Sequence, residues 1–338
     1  MFYSIQFLRG IAALMVVIAH TGHKGNQYNI KSFEWFHIGG SGVDLFFIIS
    51  GFIMCYTTHN KDVLASKFIQ NRIQRILPLY WVLSFFALIG FLVFPNMINS
   101  SGGTTDVIAS FFLIPNGSKF LINNGWTLSY EFYYYFIFAI FILITSIKLF
   151  RYIGVSFVLL VLVLIGLIYR PIMPFFDFLT NGLLFEFFLG ILAFLFLKNN
   201  NLNYKIGVFI LMVGVCMLIY INFIGNLNLN RSIVYGIPMF LVFIGFVSLE
   251  SFFSQADNVA VSLFEHLGNS SYSLYLVHPF VLAPMAIILK KLHISNSYIF
   301  SFSLLLGSVV CGYLTYLYLE KPLIKLVRNY KIFKKNKI

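Results

Sequence analysis

The chain has 338 residues, of which 59% are hydrophobic and 10% are charged, and its mean hydropathy is +0.88. No water-soluble domain of this length needs so much apolar surface, so the composition excludes a soluble enzyme and predicts an all-α polytopic membrane bundle. The net charge of +12 does not indicate nucleic-acid binding, because many basic residues crowd just beyond the last hydrophobic segment, where they set topology and contact anionic lipid. These residues are Lys321, Lys325, Arg328, Lys331, Lys334, Lys335 and Lys337.

Ten hydrophobic runs are long enough to cross about 30 Å of hydrocarbon, which predicts about ten transmembrane helices. Their limits are 4–22, 42–59, 76–94, 126–147, 152–169, 178–197, 205–224, 233–249, 270–290 and 297–319. The segment 107–114 is too short to span, so we expect an interfacial or re-entrant piece there. No extramembrane region is long enough for another domain, so we predict a membrane domain over 1–322 and a basic tail over 323–338.

The distribution of lysine and arginine predicts that both termini are cytoplasmic. If the N-terminus is placed inside, the basic residues concentrate in the inner loops around 61–75, 148–151 and 198–205 and in the tail. The loop 250–268 is an exception, because its formal charges are the acidic Glu250, Asp257 and Glu265. The first run has no basic region before it and no cleavage site after it, so we expect a retained span of a multi-pass cytoplasmic-membrane protein.

Arg9 and His20 bracket a stretch of small and apolar residues in the first run. Their spacing is close to three helical turns, so both side chains share one helix face and lie about 16 Å apart along the axis. Ionisable groups in a bilayer usually face a protein interior or a watery cavity and mark a functional path. The alternative is that Arg9 extends to a lipid headgroup and His20 ends the helix at the outer surface.

The predicted orientation gives an outer layer of ionisable residues containing His20, Asp44 and Glu131. A histidine with a carboxylate at the same depth is the minimum for a general base with an orienting partner. The alternative is a structural polar network that ties helices together. Glu186 and His278 are deeper, and a site role and an interhelical hydrogen bond are equally open for each.

The inner layer is basic and contains Arg9, Arg72 and Arg75. Three guanidiniums at the inner mouth suit a phosphate-bearing ligand from the cytoplasm, although ordinary topology anchoring also explains Arg72 and Arg75. The glycines of 39–42 lack the lysine and strand context of a phosphate loop, so we expect them to allow a turn and close helix approach. The sequence has no metal-ligand constellation and no nucleophile-elbow motif.

Several stretches, in the same order from residue 4 to residue 322, resemble motifs of the acyltransferase-3 family, whose members are integral membrane enzymes that O-acylate extracytoplasmic acceptors. The stretches are Ser4-Ile5-Gln6-Phe7-Leu8-Arg9-Gly10 leading to His20, Gly42-Val43-Asp44-Leu45-Phe46-Phe47 through Ser50-Gly51-Phe52, Arg72 and Arg75 with Pro78-Leu79-Tyr80-Trp81, Trp126-Thr127-Leu128 with Glu131, Ser271-Tyr272-Ser273-Leu274-Tyr275-Leu276-Val277-His278-Pro279, and Glu320-Lys321-Pro322.

The resemblance implies a ten-helix bundle without a permanently bound cofactor that takes cytoplasmic acyl-CoA, often acetyl-CoA, as its donor substrate. The implied acceptor lies outside and is commonly a surface polysaccharide or a lipid-linked glycan. Some family members add a C-terminal esterase-like domain. Only 16 residues follow Pro322 here, so we expect the membrane domain or a separate partner to complete the transfer.

The depths of the polar residues suit this chemistry. Arg9, Arg72 and Arg75 would hold the CoA phosphates, and the pantetheine arm, about 15–20 Å long when extended, roughly matches the offset from Arg9 to His20. His20, oriented by Asp44 or Glu131, would deprotonate an acceptor hydroxyl that then attacks the thioester directly. An acyl-histidine intermediate is the less favoured variant.

The aromatic residues at the start of the fourth run are candidate sugar contacts, together with His278. They are Trp126, Tyr130, Tyr133 and Tyr134. Aromatic residues at this depth more often form the interfacial belt of a membrane protein.

A transporter or flippase for an anionic or lipid-linked glycan is the competing function. Asp44, Glu131 and Glu186 would then relay protons, and substrate would move without consumption of acyl-CoA. A non-enzymatic assembly subunit is a weaker alternative. The sequence shows no inverted repeat, which argues against a transporter, and it leaves open whether the chain acts alone or as a homo-oligomer.

Overall fold

The computed structural model describes residues 2–95, 103–200, 202–225, 229–255 and 259–329. Within these ranges the chain forms helices and no β-strand. The helices are α1 Tyr3–Gln27, α2 Ser41–His59, α3 Ala65–Val93, α4 Val107–Phe112, α5 Gly125–Ile144, α6 Lys148–Tyr169, α7 Pro174–Leu179, α8 Leu184–Asn199, α9 Tyr204–Ile224, α10 Ile237–Val247, α11 Glu250–Gln255, α12 Val259–Lys291, α13 Ser297–Thr315 and α14 Lys321–Asn329. π-Helical turns at 232–236 and 316–320 lead into α10 and α14.

The predicted all-α membrane bundle is confirmed. Nine of the described helices are long and apolar enough to cross a membrane, and the predicted run 233–249 corresponds to the shorter apolar helix Ser232–Val247. The last helix does not end at 319 as predicted but continues through the π-helical turn to Asn329, across the expected domain boundary at 322. The remainder of the predicted tail, 330–338, lies outside the described residues.

Helix α1 packs against α2, α12 and α13. Two glycines on its neighbours allow the helix backbones to approach closely. A Cβ atom at Gly42 of α2 would collide with the Ala12 carbonyl, and one at Gly268 of α12 would collide with the Gln6 carbonyl. Such small-residue contacts are the usual way in which membrane helices pack tightly. They place the Arg9 and His20 side chains against protein neighbours.

Glu250 accounts for one acidic residue of the loop 250–268, which the charge pattern predicts to lie on the same side as the N-terminus. Its carboxylate accepts hydrogen bonds from the backbone N–H groups of Tyr3 and Ser4, both at 2.8 Å, and from the Ser4 hydroxyl at 2.5 Å. A carboxylate at a helix N-terminus satisfies unpaired amides and interacts favourably with the helix dipole. The start of α1 and the start of α11 therefore lie on the same side of the bundle, as the sequence predicts.

The segment 103–124 folds back along α3. The Tyr80 hydroxyl donates to the Ser110 carbonyl at 2.7 Å, and the Trp81 indole donates to the Phe111 carbonyl at 3.0 Å. At 1.5 Å per residue, these contacts lie about 20 Å from the end of α3. The contacts favour the re-entrant alternative for 107–114, and α5, which follows at once, begins at the depth of Tyr80.

An aromatic core joins α2, α5 and α8. Phe187 of α8 stacks on Phe47 of α2, with 4.7 Å between ring centroids, and on Tyr134 of α5 at 4.5 Å. All three side chains are fully buried. This packing fixes the rotation of α5, so that Glu131 faces the interior next to α2.

Candidate active site

A cavity of about 920 Å³ lies between α1, α2, α3, α5, α12 and the last helix. This volume is sufficient for a large organic ligand. The cavity lining is strongly basic, with six basic and two acidic side chains. The basic residues are Arg9, Lys67, Arg72, Arg75, Lys321 and Arg328, and the acidic ones are Glu131 and Glu320.

The cavity reaches the protein surface where α3 begins and α14 ends. Lys67, Lys321 and Arg328 line it there and are exposed, whereas Arg9, Arg72 and Arg75 are partly buried farther in. The structure therefore brings the three predicted arginines to one cavity. Lys321 and Arg328 lie beyond the last hydrophobic run, where basic residues are expected to set topology, but a helix that continues past the membrane span carries them to the cavity.

Glu131 lies in the basic cavity and not at the depth of His20, where the sequence predicts it. Its carboxylate accepts a hydrogen bond from the Tyr135 hydroxyl at 3.0 Å, and Ser50 lies 3.2 Å from the same hydroxyl. Because Tyr135 has one hydroxyl proton and gives it to Glu131, Ser50 is the donor to Tyr135. The expected depth was wrong because α5 begins at the level of Tyr80 rather than at the outer surface.

Glu320 is a cavity residue that the sequence analysis did not assign to the site. It is almost fully buried and accepts a hydrogen bond from the Ser273 hydroxyl at 2.5 Å. Its charge interacts with those of Arg9 and Arg75. Only the resemblance of Glu320-Lys321-Pro322 to a family motif marked this residue in the sequence.

His20 does not line the cavity, and its ring contacts that of His278. The two ring centroids are 4.9 Å apart with an interplanar angle of 47°. His278 is fully buried, whereas His20 is partly exposed. Tyr275, which lines the cavity, has its ring centroid 6.1 Å from that of His278. The two histidines thus lie next to the cavity but not in its lining.

Backbone carbonyl groups fix the tautomers of both histidines. His20 Nδ1 lies 2.9 Å from the Val16 carbonyl oxygen, and His278 Nδ1 lies 3.2 Å from the Leu274 carbonyl oxygen. A carbonyl oxygen can only accept, so Nδ1 carries the proton in each neutral ring and Nε2 keeps a free lone pair. Nε2 of His278 is buried and has no hydrogen-bond partner among the described residues. His20 therefore presents a basic nitrogen without needing a carboxylate to orient it.

Asp44 belongs to a separate ion pair. Its fully buried carboxylate accepts hydrogen bonds from Arg231, at 2.8 Å from Nη2 and 3.3 Å from Nε. Arg231 also donates to the Gly40 carbonyl at 2.9 Å. Glu186 is buried nearby and interacts electrostatically with both members of the pair. Asp44 was expected to orient His20, but the described structure shows no hydrogen bond between them. The partner of Asp44 is Arg231, which the sequence shows only as a charge in a loop.

Two of the four predicted aromatic sugar contacts, Trp126 and Tyr130, pack against other aromatic rings of the protein. Tyr130 is buried, with its ring centroid 4.4 Å from that of Phe178 and 6.0 Å from that of Phe47. Trp126 is half-buried and meets the edge of Tyr130 at 5.9 Å. The structure does not bring Tyr130 to the lining of the basic cavity.

A sequence profile described as an acyltransferase domain matches residues 2–317 of the chain. The chain belongs to the acyltransferase-3 family. It is 30% identical over 309 residues to the exopolysaccharide production protein ExoZ of Rhizobium meliloti strain 1021, across 87% of this chain and 92% of that protein. It is 27% identical over 161 residues to the peptidoglycan O-acetyltransferase OatA of Listeria monocytogenes, across 42% of this chain and 24% of that protein. No solved structure matches the chain.

The family match confirms the resemblance of the sequence motifs, and the bundle confirms that the acyltransferase is embedded in a membrane. The profile includes every helix from α1 to α13 and ends within the π-helical turn. The paired histidines lie between these helices, and so does most of the basic cavity, whose lining also includes Lys321 and Arg328 of α14. Together they form the candidate active site of this acyltransferase-3 protein.

Proposed function

We propose that the protein transfers an acyl group, most simply acetyl, from cytoplasmic acyl-CoA to a hydroxyl of a glycan outside the cytoplasmic membrane. One observation carries the proposal: a single helix, α1, bears an arginine in a large basic cavity and, about 16 Å farther along, a histidine with a free Nε2. The basic cavity offers charge-assisted hydrogen bonds to CoA phosphates, which neutral helices could not supply.

His20 is proposed as the general base of the transfer. Its Nε2 takes the proton of the acceptor hydroxyl, and the oxygen attacks the thioester carbonyl carbon. The C–S bond then breaks, and the CoA sulfur leaves with the proton held by the imidazolium. His20 suits this role better than His278 because it is partly exposed and so accessible to an acceptor, whereas His278 is fully buried.

The acceptor class is proposed from the relatives together with the site. One relative is named for exopolysaccharide production and the other for peptidoglycan O-acetylation, so a cell-envelope glycan or its lipid-linked precursor is the proposed acceptor. Direct transfer to the hydroxyl requires no acyl-enzyme.

The test compares surface glycans of the producing cells with and without the gene, by mass spectrometry, and measures acetyl-CoA consumption by the purified full chain in nanodiscs. We expect glycan fragments heavier by one acetyl group and CoA release that depends on the acceptor. If loss of the gene changes glycan export but not glycan acetylation, and the purified chain consumes no acetyl-CoA, the transporter function is supported instead.

A further inference from the structure

The basic cavity and the two histidines are separated by two aromatic rings. Phe46 of α2 and Tyr275 of α12 both line the cavity, and their ring centroids are 5.7 Å apart in an edge-to-face arrangement. On its other side, Tyr275 contacts His278. We call this pair, Phe46 and Tyr275, the septum.

Contacts along α1 place the septum between the level of Arg9 and the level of His20. Phe46 packs on a small cluster that includes Ala13 and Val17 of α1. Both residues lie between Arg9 in the cavity and His20 beside His278. A thioester that travels along α1 from the basic cavity to His20 must therefore pass Phe46.

Tyr275 is the fixed half of the septum. Pro279, four residues later in α12, has no N–H to give to the Tyr275 carbonyl, and the Asn124 side chain donates to that carbonyl at 2.8 Å instead. The Tyr275 hydroxyl lies 3.0 Å from Thr127 Oγ1. Because the Thr127 hydroxyl donates its proton to the Asn124 carbonyl, Tyr275 is the donor to Thr127.

Phe46 is the movable half. Its ring is only partly buried and is held by apolar contacts, and a phenylalanine ring forms no hydrogen bond that would have to break when it rotates. Rotation of this one side chain would clear the path along α1 towards His20 and leave Tyr275 and its partners in place.

We propose that Phe46 and Tyr275 determine which nucleophile receives the acyl group, by keeping the bound thioester away from His20, and from any water that His20 could activate, until an acceptor is bound. The inference rests on the proposed function. In the side reaction that the septum prevents, the oxygen of water forms the new C–O bond with the acyl carbon and the C–S bond breaks. The products are the free carboxylic acid and CoA thiol.

The experiment uses the purified full chain in nanodiscs with acetyl-CoA and no glycan acceptor. Free CoA is measured over time, and CoA affinity is measured separately. We compare Phe46→Ala, which removes the movable ring, with Tyr275→Phe, which keeps the ring and removes the hydrogen bond to Thr127. Phe85→Ala is the matched control, because Phe85 is 57% exposed on the outside of α3.

We expect Phe46→Ala to raise acceptor-independent CoA release roughly tenfold, since an open state that is otherwise a minor population becomes the major one. Tyr275→Phe should raise it by about threefold, because it loses one neutral hydrogen bond. Phe85→Ala should match the wild type.

If Phe46→Ala and Tyr275→Phe bind CoA normally and release CoA at the wild-type rate, the role of the septum is overturned. The proposed function would be unaffected by that result. A wild-type chain that neither binds CoA nor consumes acetyl-CoA would overturn the proposed function. If Phe46→Ala no longer binds CoA, the comparison of Tyr275→Phe with the wild type decides the role of the septum.

Discussion

The guanidinium of Arg231 forms a two-point hydrogen-bonded ion pair with the carboxylate of Asp44, 187 residues earlier in the chain. Asp44 is fully buried, whereas the Arg231 side chain keeps 43% of its surface exposed. The pair joins the start of α2 to the turn that leads into α10. Its geometry assigns Asp44 a part in holding helices together.

Loss of either member of this pair should destabilise the bundle. A buried carboxylate left without its cation is costly, although the exposure of Arg231 reduces the effect to about 2 kcal/mol. Asp44→Asn and Arg231→Gln should each lower the thermal midpoint in detergent, and the double variant should be less destabilised than the sum of the two. Additive effects would show that the pair contributes nothing.

His20→Ala should reduce acyl transfer by at least about 100-fold, the usual contribution of a general base. CoA affinity should remain at the wild-type level, because His20 does not line the basic cavity. His23→Ala is the control, since His23 lies one turn farther along α1 and is exposed. Full transfer by His20→Ala would exclude the base assignment.

Arg72→Ala and Arg75→Ala should each weaken CoA binding about tenfold or more, the effect of losing one charge-assisted hydrogen bond. The loss should diminish at high salt concentration, because the cavity opens among exposed charges. Arg170→Ala, a change at an exposed arginine outside the cavity, is the control. Wild-type affinity in both cavity variants would support the topology-anchor interpretation.

Glu131→Gln separates two roles for this carboxylate. Glutamine can still accept the Tyr135 hydrogen bond but carries no charge, so removal of a negative charge from the cavity should tighten CoA binding by about threefold. Transfer should continue, because Glu131 lies with the arginines of the cavity. If transfer collapses while CoA still binds, Glu131 takes part in the chemistry, as its position beside an apolar run predicts.

The short helix α4 should lose protection in acid. The Ala109 N–H at 2.9 Å and the Asn116 side chain at 2.8 Å both donate to the Asp106 carboxylate and lower its pKa. A lowered pKa in the folded state stabilises the cap above the usual value of about 4, and the stabilisation is lost as the pH falls through the lowered pKa.

Hydrogen–deuterium exchange of residues 107–112, compared between wild type and Asp106→Asn at each pH, measures this change. Asparagine is also a good N-cap, so the variant should show protection that does not change in this pH range. If exchange depends on pH equally in the two proteins, titration of Asp106 is not the cause of the lost protection.

Most of the membrane-spanning helices were predictable because each consists of a long apolar run with its own signal. Depth was less predictable. Glu131 was placed from the start of its run, but the re-entrant segment before α5 lowers that start to the level of Tyr80. A short apolar segment between two spans gives no local measure of how deeply it enters the bundle.

The arginines of the cavity were found because charges inside or beside apolar runs stand out in a sequence. The partner of Asp44 was missed because Arg231 and Asp44 are joined only by the tertiary fold. His20 was expected to be oriented by a carboxylate, yet His20 and His278 each use the carbonyl oxygen four residues earlier in their own helix. That contact depends on a side-chain rotamer, which residue order does not encode.

The contact between Glu250 and the first turn of α1 also affects how the protein is made. Helix α1 is synthesised first, but Glu250, whose carboxylate accepts hydrogen bonds from the first backbone N–H groups of this helix, lies 246 residues after Ser4. The helix that carries both Arg9 and His20 therefore reaches its final state only after most of the chain has left the ribosome. The basic cavity has the same requirement, because its lining runs from Gln6 to Arg328 and so needs both the first and the last helix.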